Sequence, residues 1–243
     1  MKHSTLLTGA FTTVLLLLLM TTTAQAIIPS TLTKRQQAMA TISAYTAIGN
    51  QTGLHDVLAK GFDAGLTVNE EKEVLVQLYA YCGFPRSLQG INTLMKVLEE
   101  RKAKGIEDPV GRGASPITST APKYERGKQN LFKLTGQPEP EPKTGFSAFS
   151  PEIDVFLKEH LFADIFERDI LTFQEREIAT ISALASLGGV EPMLQAHIGM
   201  GLNTGLTGPQ VQEIIALDEA AIGKKAAEAA RAVLANVLTT RHK

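Results

Sequence analysis

The sequence predicts an all-α protein built from two copies of one helical unit. The pentapeptide Ala-Thr-Ile-Ser-Ala occurs at positions 40–44 and again at positions 179–183. Both copies lead to a shared Gly-Leu-Thr, at positions 65–67 and 205–207, with one residue inserted in the second copy. No stretch alternates apolar and polar residues with a period of two, which argues against strands. Repetition of this kind indicates that one supersecondary unit is used twice.

The segment 1–26 is predicted to be a secretory signal peptide. Lys2 and His3 precede an apolar run at positions 14–20, and the Ala-Gln-Ala at positions 24–26 matches a small-residue cleavage site. The apolar run is short for a transmembrane helix, although an uncleaved anchor is the alternative. We therefore expect cleavage after Ala26, a periplasmic or secreted protein, and no membrane attachment after cleavage.

Composition limits the classes of partner and the means of stabilisation. The formal net charge of −1 lacks the basic excess of a nucleic-acid-binding protein. Cys82 is the one cysteine, so no internal disulfide can form and the core must stabilise this exported chain. We expect a signal peptide at 1–26, a first repeat at 27–104, a linker with a short helix at 105–150, and a second repeat at 151–243.

Capping signals define the helices of the first copy. Thr67 is a predicted N-cap, because Glu70 three positions later completes a capping box. Gly83 and Pro85 end the helix that follows, and Pro85 can open the next helix at its first position. The apolar face of the first of these helices recurs at three- and four-residue spacing: Leu75, Leu78, Tyr79 and Cys82.

The second copy repeats these signals. Thr172 and Glu175 form a capping box, Pro192 starts the next helix, and Thr207 begins the last main helix. Between the copies, Gly-Arg-Gly-Ala-Ser-Pro and Gln-Pro-Glu-Pro-Glu-Pro-Lys have the composition of loops, with one helical piece at positions 124–134. A loop this long is usually functional or disordered.

Glu177 and His197 are the leading candidates for catalysis. They lie on successive helices of the second copy, where a carboxylate beside an imidazole can act as a general acid/base couple. The first copy has Ala38 and Val57 at the matching positions. The helical rise puts Glu177 about 16 Å and His197 about 8 Å from the turn, so we expect a curved helix or a bridging water. The alternative is a solvated glutamate and a core histidine.

The segment Tyr-Ala-Tyr-Cys-Gly-Phe-Pro-Arg at positions 79–86 is the second candidate. Arg86 in the first turn of a helix could bind a carboxylate, with the helix dipole adding to its charge. Cys82 is a candidate nucleophile, although the chain has no second cysteine to resolve its oxidised form. The alternative is that Tyr79 and Cys82 belong to the core and Arg86 to the surface.

The sequence predicts no metal and no cofactor. His160 and Asp164 share a helix face, but no third ligand is evident. The chain also has no phosphate-binding loop, no dinucleotide fingerprint and no nucleophile elbow.

Four separated segments resemble the carboxymuconolactone decarboxylase family, which includes the decarboxylases and the alkylhydroperoxidase D enzymes. They are the segment 74–91, the Tyr-Glu-Arg-Gly at 124–127, the segment 160–171, and the run from 176 to 205. The resemblance implies a duplicated alkylhydroperoxidase D-like helical fold, with the two repeats packed as a pseudo-dimer. It also implies a homo-oligomer, with a trimer expected.

The resemblance assigns residues to a composite site. Glu177 and His197 match the Glu and His of the alkylhydroperoxidase D pattern, whereas its two cysteines fall at about Val190 and Met193. The decarboxylase pattern fits better, but its Tyr-Cys-Gly-Phe-Pro segment lies in the first copy and its histidine in the second. We therefore expect substrate-binding residues from one copy and proton-transfer residues from the other: Arg86, Tyr81 and Tyr79 with Glu177 and His197.

The resulting prediction is an enzyme that resembles carboxymuconolactone decarboxylase and acts on a small lactone or carboxylic acid. One alternative is an antioxidant activity of the alkylhydroperoxidase or peroxiredoxin kind, using Cys82 alone. The other is a non-catalytic oligomeric binding protein, in which Glu177 and His197 would lie apart and face no pocket.

Overall fold

The computed structural model describes residues 31–241, and every regular element in that range is a helix. The all-α prediction is therefore confirmed. The predicted signal peptide lies outside the described residues. Across residues 31–241, no helix combines the length and the apolar character needed to cross a bilayer. The helices are α1 (Lys34–Ile48), α2 (Gln51–Asp63), α3 (Val68–Ala103), α4 (Lys123–Thr135), α5 (Gly145–Phe149), α6 (Pro151–Phe156), α7 (Phe173–Leu187), α8 (Glu191–Asn203), α9 (Gly208–Ile222) and α10 (Lys224–Arg241), with a π-helical segment, Leu157–Ile165, directly after α6.

Four equivalent capping boxes start the main helices of the two repeats. Those at Thr67 and Thr172 were predicted from the sequence, and the structure adds equivalent boxes at Thr33 and Thr207. In each box the threonine hydroxyl accepts from a backbone N–H of the first turn, which satisfies one otherwise unpaired donor.

A glycine breaks the long helix of each repeat at the same place. Gly83 has φ 78° and ψ 161°, and Gly223, its counterpart in the second repeat, has φ 79° and ψ 163°. This backbone region is essentially restricted to glycine. The predicted helix start at Thr207 is confirmed, since Thr207 caps α9. The expectation that this helix is the last one was wrong, because α10 follows the break at Gly223. The Ala-rich sequence on both sides of Gly223 hides that break.

The two repeats pack around an approximate twofold axis. Helices α1 and α7, which carry the repeated pentapeptide, pack on each other, while α3 packs on α7 and α9 packs on α1. The Arg176 guanidinium donates to Glu73 at 2.7 Å, and the equivalent Gln37 donates to the equivalent Glu213 at 3.2 Å. Such reciprocal contacts are the mark of an isologous interface, here formed within one chain.

The segment between the repeats folds against the second repeat. Helix α4 matches the helical piece predicted at positions 124–134. It packs on the π-helical segment so closely that a Cβ at Gly127 would lie 1.8 Å from the Lys158 carbonyl oxygen. A small second core forms there from Leu134, Leu161, Phe162, Ile165 and Phe166.

Candidate active site

Glu177 and His197 form a buried hydrogen-bonded pair between α7 and α8. The distance from Glu177 Oε2 to His197 Nδ1 is 2.8 Å, and the two residues are 0% and 7% exposed. Gly201 lets the helices approach, because a Cβ there would lie 2.9 Å from Ile181 Cδ1 and 3.6 Å from Glu177 Cβ. The side chains are in direct contact, so the expected bridging water is not needed.

The pair leaves one nitrogen and one oxygen unused. Glu177 Oε1 is buried and has no hydrogen-bond partner among the described residues. His197 Nε2 also makes no hydrogen bond to the described residues, yet it is not among the fully buried polar atoms. An ionised Glu177 accepts the proton on Nδ1 and so leaves Nε2 as the basic nitrogen.

Tyr81 brings the first repeat to this pair. Its ring meets the His197 ring edge-on, with centroids 5.1 Å apart and an interplanar angle of 86°. The Tyr81 hydroxyl is buried beside the Thr180 side chain. Burial, followed by the negative charge of Glu177, raises the pKa of Tyr81 well above its ordinary value. The phenol therefore stays protonated and offers a donor.

Tyr79 belongs to an aromatic group at the break in α3. Its ring stacks on Phe84 at 4.5 Å and lies 5.5 Å from the His160 ring at a tilt of 53°. Phe84 was not singled out from the sequence, although it stands inside the Gly-Phe-Pro break and is 62% exposed. Tyr79 thus links the break in α3 to the π-helical segment.

Arg86 is exposed and lies over the end of α1. The Arg86 guanidinium packs directly on the backbone of Gly49. A side chain at position 49 would prevent this contact, because a Cβ there would lie 1.4 Å from Arg86 Nη1. No carboxylate among the described residues pairs with Arg86, which leaves its donors available to an anion. Its positive charge acts on the nearby Cys82.

Cys82 has the environment of a core thiol. Burial raises its pKa to about 11, and the opposing effect of Arg86 is smaller. Because the thiolate is the reactive form, this environment disfavours a nucleophilic cysteine at neutral pH.

A buried polar network that sequence reasoning missed supports the site from behind. Arg176, which directly precedes Glu177, is 0% exposed and donates to Glu73 at 2.7 Å and to Gln77 at 2.7 Å. The Gln77 amide in turn donates to Thr180 at 3.1 Å. The burial of Arg176 follows from the packing of α3 on α7, so the sequence carried no signal for this network.

The approximate twofold axis generates a second location equivalent to this site, and that location is apolar. When the two pentapeptides are aligned, Glu177 corresponds to Ala38. When the two Gly-Leu-Thr segments are aligned, His197 corresponds to Val57, and Tyr81 and Cys82 correspond to Ala221 and Ile222. The two repeats therefore share a framework and present one polar centre.

The described residues offer no cluster of three or more potential metal ligands. His160 Nδ1 lies 3.2 Å from Asp164 Oδ2, but Lys123 also pairs with that carboxylate at 2.8 Å. A lysine so close competes with any cation for Asp164.

Comparison with known proteins identifies the domain that contains this pair. Residues 151–236 match the model of the carboxymuconolactone decarboxylase family. This part of the chain, which contains Glu177 and His197, is similar to that family. The resemblance on which the sequence prediction depended is thereby confirmed.

The carboxymuconolactone decarboxylase fold extends to most of the chain. A crystal structure from Burkholderia xenovorans, described as a candidate gamma-carboxymuconolactone decarboxylase subunit, is similar with a TM-score of 0.51. The match has 20% sequence identity and covers 86% of this chain and 80% of that chain. At this identity the likeness establishes a shared fold. No curated protein matches the sequence.

Proposed function

We propose that the protein is a carboxymuconolactone decarboxylase-like enzyme that acts on a small lactone or carboxylic acid by general acid/base chemistry. The observation that carries this proposal is the 2.8 Å contact between Glu177 and His197, buried beside Tyr81 of the other repeat. The non-catalytic alternative expected Glu177 and His197 to lie apart and to face no pocket, and the 2.8 Å contact argues against the first of these two conditions.

Proton transfer is the role of His197. Glu177 fixes the tautomer by accepting from Nδ1, so Nε2 takes or returns the proton of the substrate. Tyr81 contributes a neutral hydroxyl, which can donate to a substrate oxygen, since its pKa is raised by burial.

Arg86 would hold a carboxylate that the reaction retains. In a decarboxylation the bond from carbon to the departing carboxylate breaks, carbon dioxide leaves, and the electron pair stays on the carbon. In a lactone acid the adjacent carbonyl accepts that pair as an enolate, and protonated His197 returns a proton to carbon. By binding the retained carboxylate, Arg86 would hold the substrate in one orientation relative to His197.

The test is turnover of gamma-carboxymuconolactone and a panel of related lactone acids, followed by carbon dioxide release. We expect His197→Ala to lower kcat by about 10²- to 10⁴-fold, the contribution typical of a general acid or base. His55→Ala is the matched control, because His55 also pairs with a carboxylate, Glu100 at 2.9 Å, on the helix equivalent to α8. Unchanged turnover in His197→Ala, or no turnover of any lactone acid by the wild type, would overturn the proposal.

We also propose that the enzyme is exported and works as a homo-oligomer. The signal peptide predicted at positions 1–26 supports export. The oligomer is supported by the exposed aromatic side chains of α5 and α6, namely Phe146, Phe149 and Phe156, with Phe149 92% exposed. Apolar surface of this kind is usually buried in a partner.

A further inference from the structure

A cavity of about 420 Å³ lies between α3 and the extended chain that follows it. Its lining includes Lys72, Glu73 and Val76 of α3 and Arg168 of the turn before α7, and excludes Glu177 and His197. The volume lies within the range of small-molecule sites.

Hydrogen bonds fix the outer wall of this cavity. The Val68 and Asn69 amides donate to the carbonyls of Pro109 and Val110, each at 3.0 Å. Further along, the Ser115 amide donates to Asp169 at 2.8 Å. The extended segment is thus tied at both ends, so the cavity is formed before any ligand arrives.

The cavity carries more positive than negative charge. Arg168 donates to Glu73 through Nε at 3.0 Å and Nη2 at 2.9 Å, and Arg176 donates to the same carboxylate at 2.7 Å. Lys72 is exposed and has no ion-pair partner within residues 31–241. Two cations therefore share the Glu73 carboxylate, and Lys72 is a further cation. Among the residues that line the cavity, Lys72 and Arg168 face the single carboxylate of Glu73, which leaves one positive charge uncompensated.

The remaining wall is apolar, with Val76, Ile91 and Ile170 facing the same space. A ligand that satisfies both parts of the lining has a negative head and an apolar body. We propose that this cavity is a second binding site, distinct from the Glu177–His197 site, for a small monocarboxylic acid with an aliphatic or aromatic body. The carboxylate binds Lys72 and the free edge of Arg168, while the apolar body lies against Val76 and the two isoleucines.

The proposal is tested by adding sodium hexanoate to the 15N-labelled protein and following the amide signals by NMR. We expect saturable shifts at Asn69, Gly113, Ala114 and Ile170. Neutral 1-hexanol has the same apolar body and should bind more weakly, because it lacks the charge. Hexylammonium should bind least.

Variants separate a specific site from general attraction of anions. Lys72→Glu should weaken hexanoate binding by about tenfold or more, since it replaces a cation that contacts the carboxylate. Lys104→Glu makes the same charge change at an exposed lysine outside the cavity lining and should leave the affinity unchanged. Val76→Phe should abolish binding by filling the space.

Three outcomes would overturn the second site. They are the absence of saturable shifts at millimolar hexanoate, shifts centred on Tyr81 and His197, and equal weakening by Lys72→Glu and Lys104→Glu. None of these readouts requires turnover, so failure here is distinguishable from failure of the proposed reaction.

Discussion

At the scale of the residue, the contact between Glu177 and His197 depends on how closely α7 and α8 pack. Comparison of the repeats singled out Glu177 and His197, because Ala38 and Val57 replace them in the other copy. Their direct contact could not be predicted from helical rise. That estimate treats the helices as evenly spaced rods, whereas Gly201 allows a closer approach. Whether two side chains on neighbouring helices can touch depends on how closely the helices pack. The spacing of residues along the chain gives no information about that packing distance.

Cys82 shows how burial separates a nucleophile from a core residue. With its pKa raised to about 11, only about one thiol in ten thousand is ionised at pH 7. We expect iodoacetamide to react slowly with the folded protein at neutral pH, and the rate to rise with pH through about 11. Arg86→Ala should move the midpoint higher still, because Arg86 favours the thiolate.

The urea-unfolded chain is the control for that titration, since there Cys82 is free of burial and should react with an ordinary thiol pKa. A folded-state midpoint below that of the unfolded chain would contradict the burial argument. It would revive the antioxidant activity that uses this single cysteine.

At the scale of the element, local signals determined most of the helices. The capping boxes at Thr67 and Thr172 begin helices as expected, since capping depends on neighbours three positions away. The break at Gly83 was predicted because Pro85 follows it, but the break at Gly223 was not, since Lys224 and Lys225 are compatible with a continuous helix. The positive φ of Gly223 follows from the packing of α9 and α10.

The two breaks form a matched pair for mutation. Each glycine has a φ near 78° with an extended ψ, so Gly83→Ala and Gly223→Ala should each lower the free energy of unfolding by about 1–3 kcal/mol. Only Gly83 directly follows Tyr81 and Cys82. We therefore expect Gly83→Ala alone to shift the NMR signals of the His197 ring, which sense the Tyr81 ring 5.1 Å away.

Denaturation by urea and the His197 ring signals measure the two effects separately. Equal shifts of the His197 signals in both variants would show that the break in α3 does not position Tyr81. A negligible change in unfolding free energy would show that the backbone relaxes around the new Cβ.

On the scale of the whole molecule, the two repeats keep one framework but differ in polarity at the positions of Glu177 and His197. The sequence revealed the repeat, and the reciprocal Arg176–Glu73 and Gln37–Glu213 contacts explain how the copies pack. Those partners could not be paired from the sequence, because contacts between repeats depend on the axis relating them. The axis relates the Glu177–His197 pair to Ala38 and Val57 of the first repeat. Alanine and valine are therefore the substitutions that the first repeat suggests for Glu177 and His197.

The double variant Glu177→Ala with His197→Val gives the second repeat the residue types that the first repeat has at these positions. His197→Val alone leaves a fully buried Glu177 without its partner, which should cost about 3–5 kcal/mol of unfolding free energy. Adding Glu177→Ala removes the buried charge, so the double variant should recover most of that loss, although turnover should be absent in both. Chemical denaturation measures the order of stability. A double variant no more stable than His197→Val would show that Glu177 and His197 are not energetically coupled. The difference in polarity between the two repeats would then have no effect on stability.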